Sequence, residues 1–204
     1  MSKGKILVIS GPSGVGKGTV VKELLKESDE FALSISATTR QPREGEVDGV
    51  NYFFLTKDEF LAKAESDQMI EYAQYCENYY GTPREYVENT IESGKNIILE
   101  IDVQGAIQVK ETMPQAVTVF IMPDIWATLE RRLRKRGSET DDVIEKRLKT
   151  AIQEMNQAHN YDYIVVNGEL EKCVADVKAI IDVENMKTND QLDFIKGVLN
   201  DANA

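Results

Sequence analysis

Residues 10–19, SGPSGVGKGT, carry one lysine among four glycines. Gly11, Gly16 and Lys17 match the phosphate-binding pattern G-x-x-x-x-G-K-[ST]. Glycines let the backbone turn so that successive N–H groups point at a phosphate, and the lysine reaches its outer oxygens. The alternative is a glycine-rich turn without a ligand, but a strand-like segment before the loop and a helical pattern after it favour nucleotide binding. The candidate nucleotide-binding residues are Gly11, Pro12, Ser13, Gly14, Val15, Gly16, Lys17, Gly18 and Thr19.

The residue after the lysine is Gly18, where the pattern has a serine or threonine whose hydroxyl touches magnesium. Thr19 follows one position later, so its hydroxyl could lie near the phosphates instead. Magnesium keeps several water ligands in most nucleotide sites, so a bound Mg²⁺ is expected to depend on phosphate oxygens and water. Glu100 and Asp102 end a buried-strand pattern and could act on the metal through water, although either could be a structural carboxylate. No direct protein ligand is predicted.

A second candidate site lies in SISATTRQPREGEVDGVNYFF, residues 34–54. Arg40 and Arg43 bracket a proline, with Ser36 before them and Tyr52 after them. The planar fork of arginine matches phosphate oxygens, and a tyrosine hydroxyl can complete the shell. These residue types predict a clamp for a single phosphate group.

A basic run, RRLRKR at residues 131–136, could be no more than a solvated helix face. Arg132 and Arg136 are four residues apart and therefore share one face, and Arg147 belongs to a second helix that could fold back beside them. Phosphoryl transfer requires alignment and charge neutralisation at the transferred group. Arginines that arrive on a mobile segment provide both and exclude water when the segment closes.

The elements that must position these residues alternate between strands and helices. Short apolar runs predict buried parallel strands, and they are KILVIS (5–10), NIILEI (96–101), VTVFIM (117–122) and YIVV (163–166). Helical patterns separate them, which predicts an α/β fold with a parallel sheet covered on both faces. Between the first two runs, Thr56 and Glu59 form a capping-box pattern for a helix through about Glu65. Another helix is expected to open at Thr82, with Pro83 as its first helical residue.

The composition limits the class of partner. The chain has 204 residues and a formal net charge of −11, which argues against binding nucleic acid or an acidic membrane surface. No apolar run is long enough to span a bilayer, and no signal peptide is expected before the first strand. Cys76 and Cys173 are far apart and are expected to be reduced thiols, in agreement with a cytoplasmic protein.

The motifs together resemble the guanylate kinase family. The matching motifs occur in the family's order and span almost the whole chain. They are the glycine loop, TTRQPREGEVDGVNYFF, IEYAQYCENYYGTP, ILEIDVQGA, RRLRKRG and EKRL. The resemblance implies a P-loop NTPase-type parallel sheet flanked by helices, with an inserted mixed α/β GMP-binding subdomain and a helical lid. It places the core at residues 1–34 and 95–204, the subdomain at 35–94 and the lid at about 126–150.

The resemblance also implies the reaction, in which the γ-phosphoryl group of ATP moves to GMP, with dGMP as a further expected acceptor and Mg²⁺ as cofactor. The implied ligands of the GMP phosphate are Ser36, Arg40, Arg43, Tyr52 and Tyr80. The residues implied to read the guanine edge are Glu71, Thr82 and Asp102. The implied catalytic residues are Lys17, Arg40, Arg132, Arg136 and Arg147, and Asn167 is implied near the adenine of ATP.

Several of these roles have alternatives. Thr82 could instead be the N-cap of its helix, and Asn167 stands in an Asn-Gly pair that a turn favours. The whole chain could be a non-catalytic guanylate-kinase-like binding module, but the phosphate loop and the lid arginines argue against this. A kinase for another nucleoside monophosphate is disfavoured by Glu71 and Asp102, because adenine offers no donor at N1 to a buried carboxylate. Self-association is left open.

Overall fold

A computed structural model of the chain describes residues 3–135 and 140–203. The strands are β1 (Ile6–Ser10), β2 (Phe31–Leu33), β3 (Ala37–Thr38), β4 (Phe53–Phe54), β5 (Met69–Tyr75), β6 (Asn78–Pro83), β7 (Asn96–Glu100), β8 (Val117–Pro123) and β9 (Tyr163–Asn167). The helices are α1 (Lys17–Glu27), α2 (Lys57–Glu65), α3 (Arg84–Glu92), α4 (Val103–Thr112), α5 (Trp126–Lys135), α6 (Asp141–Met155), α7 (Leu170–Asn185) and α8 (Leu192–Asp201). Single 3-10 turns lie at Ala158–Asn160 and Thr188–Asp190.

A parallel sheet with the strand order β2-β7-β1-β8-β9 forms the centre of the described residues. The four strands predicted from apolar runs are all present in it, which confirms the predicted α/β class. Strand β2 was not predicted from its pattern, because three residues are too few to show a period. It is held by pairing with β7, where Phe31 lies opposite Asn96.

Both faces of this sheet are covered by helices, as a parallel sheet requires. Alternate residues of β1 point to opposite faces. Leu7 and Ile9 pack in a cluster with residues of α1 and α7, and residues of α5 and α6 extend the same cluster. Ile6 and Val8 pack in a second cluster with residues of α3 and α4. The two clusters fix the carboxyl ends of β1 and β7, where the phosphate loop and the acidic candidates begin.

A smaller mixed sheet has the strand order β4-β3-β6-β5, with β3 and β4 parallel and the other pairs antiparallel. Phe60 of α2 is fully buried against it, together with Ala37 and Met69. The predicted capping box is confirmed, because the Thr56 hydroxyl accepts the Glu59 N–H while the Glu59 carboxylate accepts the Thr56 N–H. The residues of the predicted monophosphate clamp lie directly before β3 and β4 and in the loop between these two strands.

The predicted start of helix α3 is wrong by one residue. Thr82 and Pro83 end strand β6, Pro83 takes the N-cap position, and the first helical residue is Arg84. The Thr82 hydroxyl makes no capping contact and points across the sheet to Glu71 instead. The N-cap interpretation of Thr82 is therefore wrong.

Helices α5 and α6 pack against each other in the region predicted as the lid. The second of them continues to Met155, beyond the expected end at about residue 150. Arg136 lies outside the described residues. Both cysteines are free thiols, with Cys76 exposed and Cys173 buried. None of the helices in the two described ranges combines the length and the apolar run that crossing a lipid bilayer requires.

Candidate functional site

The phosphate loop connects strand β1 to helix α1. Gly16 takes the N-cap position of α1 with φ of 103°, a left-handed conformation that favours glycine. A Cβ at this position would also lie 2.8 Å from Asn167 Nδ2, so a side chain here would displace the Asn167 amide. The Lys17 ammonium curls back over the loop and donates to the Gly11 carbonyl oxygen at 2.6 Å. The loop therefore has the compact form that a phosphate cradle needs.

Two predicted nucleotide-site residues hold the tip of this loop. The Val15 carbonyl oxygen accepts a hydrogen bond from Arg132 Nη1 at 2.7 Å and another from Asn167 Nδ2 at 2.8 Å. Arg132 comes from α5 and Asn167 ends β9, so the loop is tied to both elements. The Asn167 side chain is buried, and its contact is a structural one with the loop. Its implied place near adenine stays a prediction.

Acidic side chains lie beside the loop at the end of β7. The Glu100 Oε1 atom lies 3.4 Å from the position that a Cβ on Gly18 would take. Burial raises the pKa of Glu100, and the nearby Lys17 ammonium acts in the opposite direction. Asp102 is the N-cap of α4, where its Oδ1 accepts the Gly105 N–H at 2.8 Å. One oxygen of Asp102 therefore has a structural role as a helix cap, which the sequence left open as the alternative to acting on the metal.

A cavity of about 330 Å³ opens between the two sheets. It is lined by most of the residues predicted to bind the acceptor nucleotide. Its lining consists of Ser36, Tyr52, Glu71, Ala73, Tyr75, Tyr80, Gly81, Glu100, Ile101 and Asp102. Tyr75 is 73% exposed at the cavity. Tyr79 packs against the core of this sheet, with its ring centre 5.6 Å from that of Phe60.

The buried pair at the end of this cavity is Glu71 and Thr82. The Thr82 hydroxyl donates to Glu71 Oε1 at 2.7 Å, and the two residues lie opposite each other in the β5–β6 register. Burial raises the pKa of Glu71, the Thr82 hydrogen bond lowers it, and the Asp102 charge raises it. Burying a charged carboxylate here is energetically unfavourable unless a ligand donates hydrogen bonds to it.

Arg40 of the predicted clamp is held by a residue that the sequence did not single out. Its two terminal nitrogens donate to the two oxygens of Glu46, both at 2.9 Å. The guanidinium also lies 5.4 Å from the centre of the Tyr52 ring. The Arg40 hydrogen bond, followed by the Arg43 N–H, lowers the pKa of Glu46 to about 2. An acid three residues after the second arginine is the signal that could have revealed this pair.

The structure brings some predicted residues together and leaves others apart. Ser36, Tyr52 and Tyr80 meet at the cavity, whereas the Arg43 side chain is exposed. A second residue without a sequence signal is Glu154 of α6, whose carboxylate accepts the Ser13 N–H of the phosphate loop. A larger cavity of about 680 Å³ lies between β9 and α7. Its lining contains no predicted site residue, so the smaller cavity is the candidate functional site.

The comparisons with known proteins agree with the geometry. The guanylate kinase family model matches residues 3–184. A guanylate kinase of Halalkalibacterium halodurans is 51% identical over 91% of each chain, and one of Desulfitobacterium hafniense is 46% identical over 96% of this chain and 98% of its own. The crystal structure of guanylate kinase from Anaplasma phagocytophilum superposes with a TM-score of 0.70 at 35% identity, covering 92% of this chain and 89% of that one. This chain therefore belongs to the guanylate kinase family.

Proposed function

We propose that this chain transfers the γ-phosphoryl group of ATP to GMP at the junction of the phosphate loop and the 330 Å³ cavity. The observation that carries the proposal is the position of Glu100. Its side chain lines the acceptor cavity and also lies against Gly18 of the phosphate loop. A monophosphate in the cavity and a triphosphate on the loop would therefore meet at one place, as direct transfer requires.

Glu71, Thr82 and Asp102 are proposed to select guanine. Guanine presents N1–H and the 2-amino group as adjacent donors, and a carboxylate accepts both. The Thr82 hydroxyl already orients the Glu71 carboxylate, so the acceptor does not have to be arranged when the base arrives. Adenine has no donor at N1 and would leave the buried carboxylate without a partner.

The phosphate of GMP is proposed to bind to Ser36, Arg40, Arg43, Tyr52 and Tyr80. The bidentate ion pair with Glu46 fixes the plane of the Arg40 guanidinium, and the Tyr52 ring lies beside it. Because this group is already oriented, less side-chain freedom is lost when a phosphate binds. The exposed Arg43 side chain is free to turn toward a phosphate from the opposite side.

The proposed chemistry is a single in-line displacement. A phosphate oxygen of GMP forms a bond to the γ-phosphorus while the bond from that phosphorus to the β,γ-bridging oxygen breaks, so GDP and ADP result without a covalent enzyme intermediate. Lys17 and the lid arginines Arg132, Arg136 and Arg147 neutralise charge on the transferred group. Residues 35–94 and about 126–150 are proposed to close over the nucleotides and exclude water.

Mg²⁺ is proposed as the metal that accompanies ATP. Glu100 fits this role, because a hard divalent cation prefers oxygen ligands and this carboxylate lies beside Gly18 of the loop. Among the described residues, no group of three or more His, Cys, Asp or Glu side chains could hold a metal ion. Phosphate oxygens and water would therefore supply most ligands, with Glu100 and Asp102 acting through water. The bound metal supplies charge neutralisation at the phosphates.

The test is an assay of ADP release coupled to NADH oxidation, with ATP, Mg²⁺ and each nucleoside monophosphate in turn. The proposal predicts that GMP is the best acceptor, that dGMP is also accepted, and that AMP, UMP and dTMP are much poorer. Equal rates with all acceptors would contradict the proposed base selection. Absence of turnover with every acceptor, in a protein that still binds GMP, would favour a binding module.

A further inference from the structure

Glu154 joins the second helix of the predicted lid to the phosphate loop. It stands near the carboxyl end of α6, and its Oε2 accepts the Ser13 N–H at 3.3 Å across 141 residues of sequence. Pro12 has no N–H, so Ser13 carries the first N–H donor of the loop after Gly11. The contact therefore lies at the entrance of the loop.

The surroundings of Glu154 differ from those of an ordinary surface acid. Burial raises the pKa of its carboxyl, while the Ser13 N–H and the Lys17 ammonium lower it. The Asp102 carboxylate acts in the same direction as burial. A half-buried carboxylate that faces both a cation and a backbone donor of the loop is placed for a specific contact.

The same helix carries one of the predicted catalytic arginines. Arg147 precedes Glu154 by seven residues, which is about two helical turns, so both side chains leave nearly the same face of α6. The distance along the helix axis is about 10 Å at 1.5 Å per residue. Any change in how Glu154 contacts the loop would therefore shift the place from which Arg147 approaches a phosphate.

We propose that Glu154 is a positioning residue, which holds helix α6 against Ser13 of the phosphate loop and thereby sets the approach of Arg147 to the transferred phosphoryl group. The proposal rests on the proposed function, because it needs phosphoryl transfer at this loop. The required property is an acceptor oxygen at the end of a two-methylene chain. A glutamine has that oxygen at the same distance, whereas aspartate is one methylene shorter and alanine has no acceptor.

The test compares Glu154→Ala, Glu154→Gln and Glu154→Asp with the neighbouring Gln153→Ala, whose side chain is exposed on the same helix. Steady-state kinetics with ATP and GMP are measured together with thermal unfolding. We expect kcat to fall at least about tenfold in Glu154→Ala, because small displacements of catalytic groups have effects of this size or larger. The KM for GMP should stay within about twofold, because Glu154 does not line the acceptor cavity. Gln153→Ala should match the wild type.

The conservative variants decide between positioning and charge. Glu154→Gln should recover most of the lost kcat, and Glu154→Asp should resemble Glu154→Ala. The proposal is overturned if Glu154→Ala keeps the wild-type kcat, or if aspartate restores activity and glutamine does not. If Glu154→Ala is unfolded at the assay temperature, the glutamine and aspartate variants decide alone. Failure of the proposed function would differ, because the wild type and Gln153→Ala would then also fail to phosphorylate GMP.

Discussion

Substitution of Glu71 by glutamine is the most direct perturbation of base selection. The two side chains have the same shape, and the glutamine oxygen can still accept the Thr82 hydroxyl in place of Glu71 Oε1. The change therefore keeps the packing of strands β5 and β6 and removes the negative charge. It also places an NH₂ group where the proposed guanine donors need an acceptor.

The size of the effect follows from the buried position of this carboxylate. Glu71 is 7% exposed, so solvent screens its contact with the base only weakly. Hydrogen bonds to a charged group contribute about 1.5–3 kcal/mol. At 1.4 kcal/mol per factor of ten, kcat/KM for GMP should fall about 10- to 150-fold. The glutamine NH₂ group can donate to N1 of adenine, so the ratio of GMP to AMP turnover should fall further.

The assay measures kcat/KM for GMP and AMP in the wild type, in Glu71→Gln and in Glu77→Gln, an exposed carboxylate in the β5–β6 turn that serves as the control. A pH series adds an independent readout. Burial raises the pKa of Glu71, and guanine binding needs the charged form, so wild-type kcat/KM for GMP should fall as the pH drops through that raised pKa. Glu71→Gln should lose this acidic limb.

Protein stability separates a binding effect from a folding effect. Removing a charge whose pKa burial has raised relieves an unfavourable interaction, so the melting temperature of Glu71→Gln should equal or exceed that of the wild type. A GMP-to-AMP ratio that is unchanged in Glu71→Gln would refute the guanine-reading role. A large loss of melting temperature would refute the claim that this carboxylate is held for its ligand.

Three further predictions concern the clamp, the loop and the closure of the subdomains. Glu46→Gln should raise the KM for GMP severalfold by releasing Arg40, with the exposed Glu44→Gln as control. The pKa of Glu46 is lowered from 4.5 to about 2, so its contribution to stability is fully present above about pH 4.5. The difference in melting temperature between the wild type and Glu46→Gln should therefore shrink as the pH falls below that value. Asn167→Ala removes a buried 2.8 Å hydrogen bond to Val15, so calorimetry should show a free energy of unfolding lower by about 1–3 kcal/mol. Steady-state kinetics should show a raised KM for ATP and an unchanged KM for GMP. Small-angle scattering should show a smaller radius of gyration with GMP and a non-hydrolysable ATP analogue, and an unchanged radius would contradict closure.

Features that depend on consecutive residues were predictable from the sequence. The phosphate loop is one such feature, because its glycines and Lys17 act within ten residues. The buried strands β1, β7 and β8 are another, since each is a continuous apolar run that matches burial on both faces. Strand β2 escaped prediction because Phe31–Leu33 is defined by its pairing with β7 and not by its own pattern.

Features that depend on distant partners were not predictable in the same way. Thr82 carries a local pattern for a helix N-cap, but the antiparallel register places it opposite Glu71, and the buried carboxylate takes its hydroxyl. Glu46 depends on the path of a loop that returns to Arg40. Glu154 meets Ser13 only because α6 folds back onto the phosphate loop. In each case a tertiary contact decides the role of a residue whose local pattern is ordinary or misleading.

The glycine at position 18 connects the loop to the acceptor cavity. A Cβ there would stand 3.4 Å from Glu100 Oε1, at the limit of ordinary contact, so a side chain would fill the space between the loop and this carboxylate. With glycine in place, Glu100 approaches the start of α1 and still lines the cavity in which GMP is proposed to bind. A carboxylate from strand β7 thus lies beside the position where the phosphate-loop pattern has a hydroxyl side chain. The Glu100 carboxylate therefore belongs to both halves of the proposed site, because it lies beside the phosphate loop and also lines the acceptor cavity.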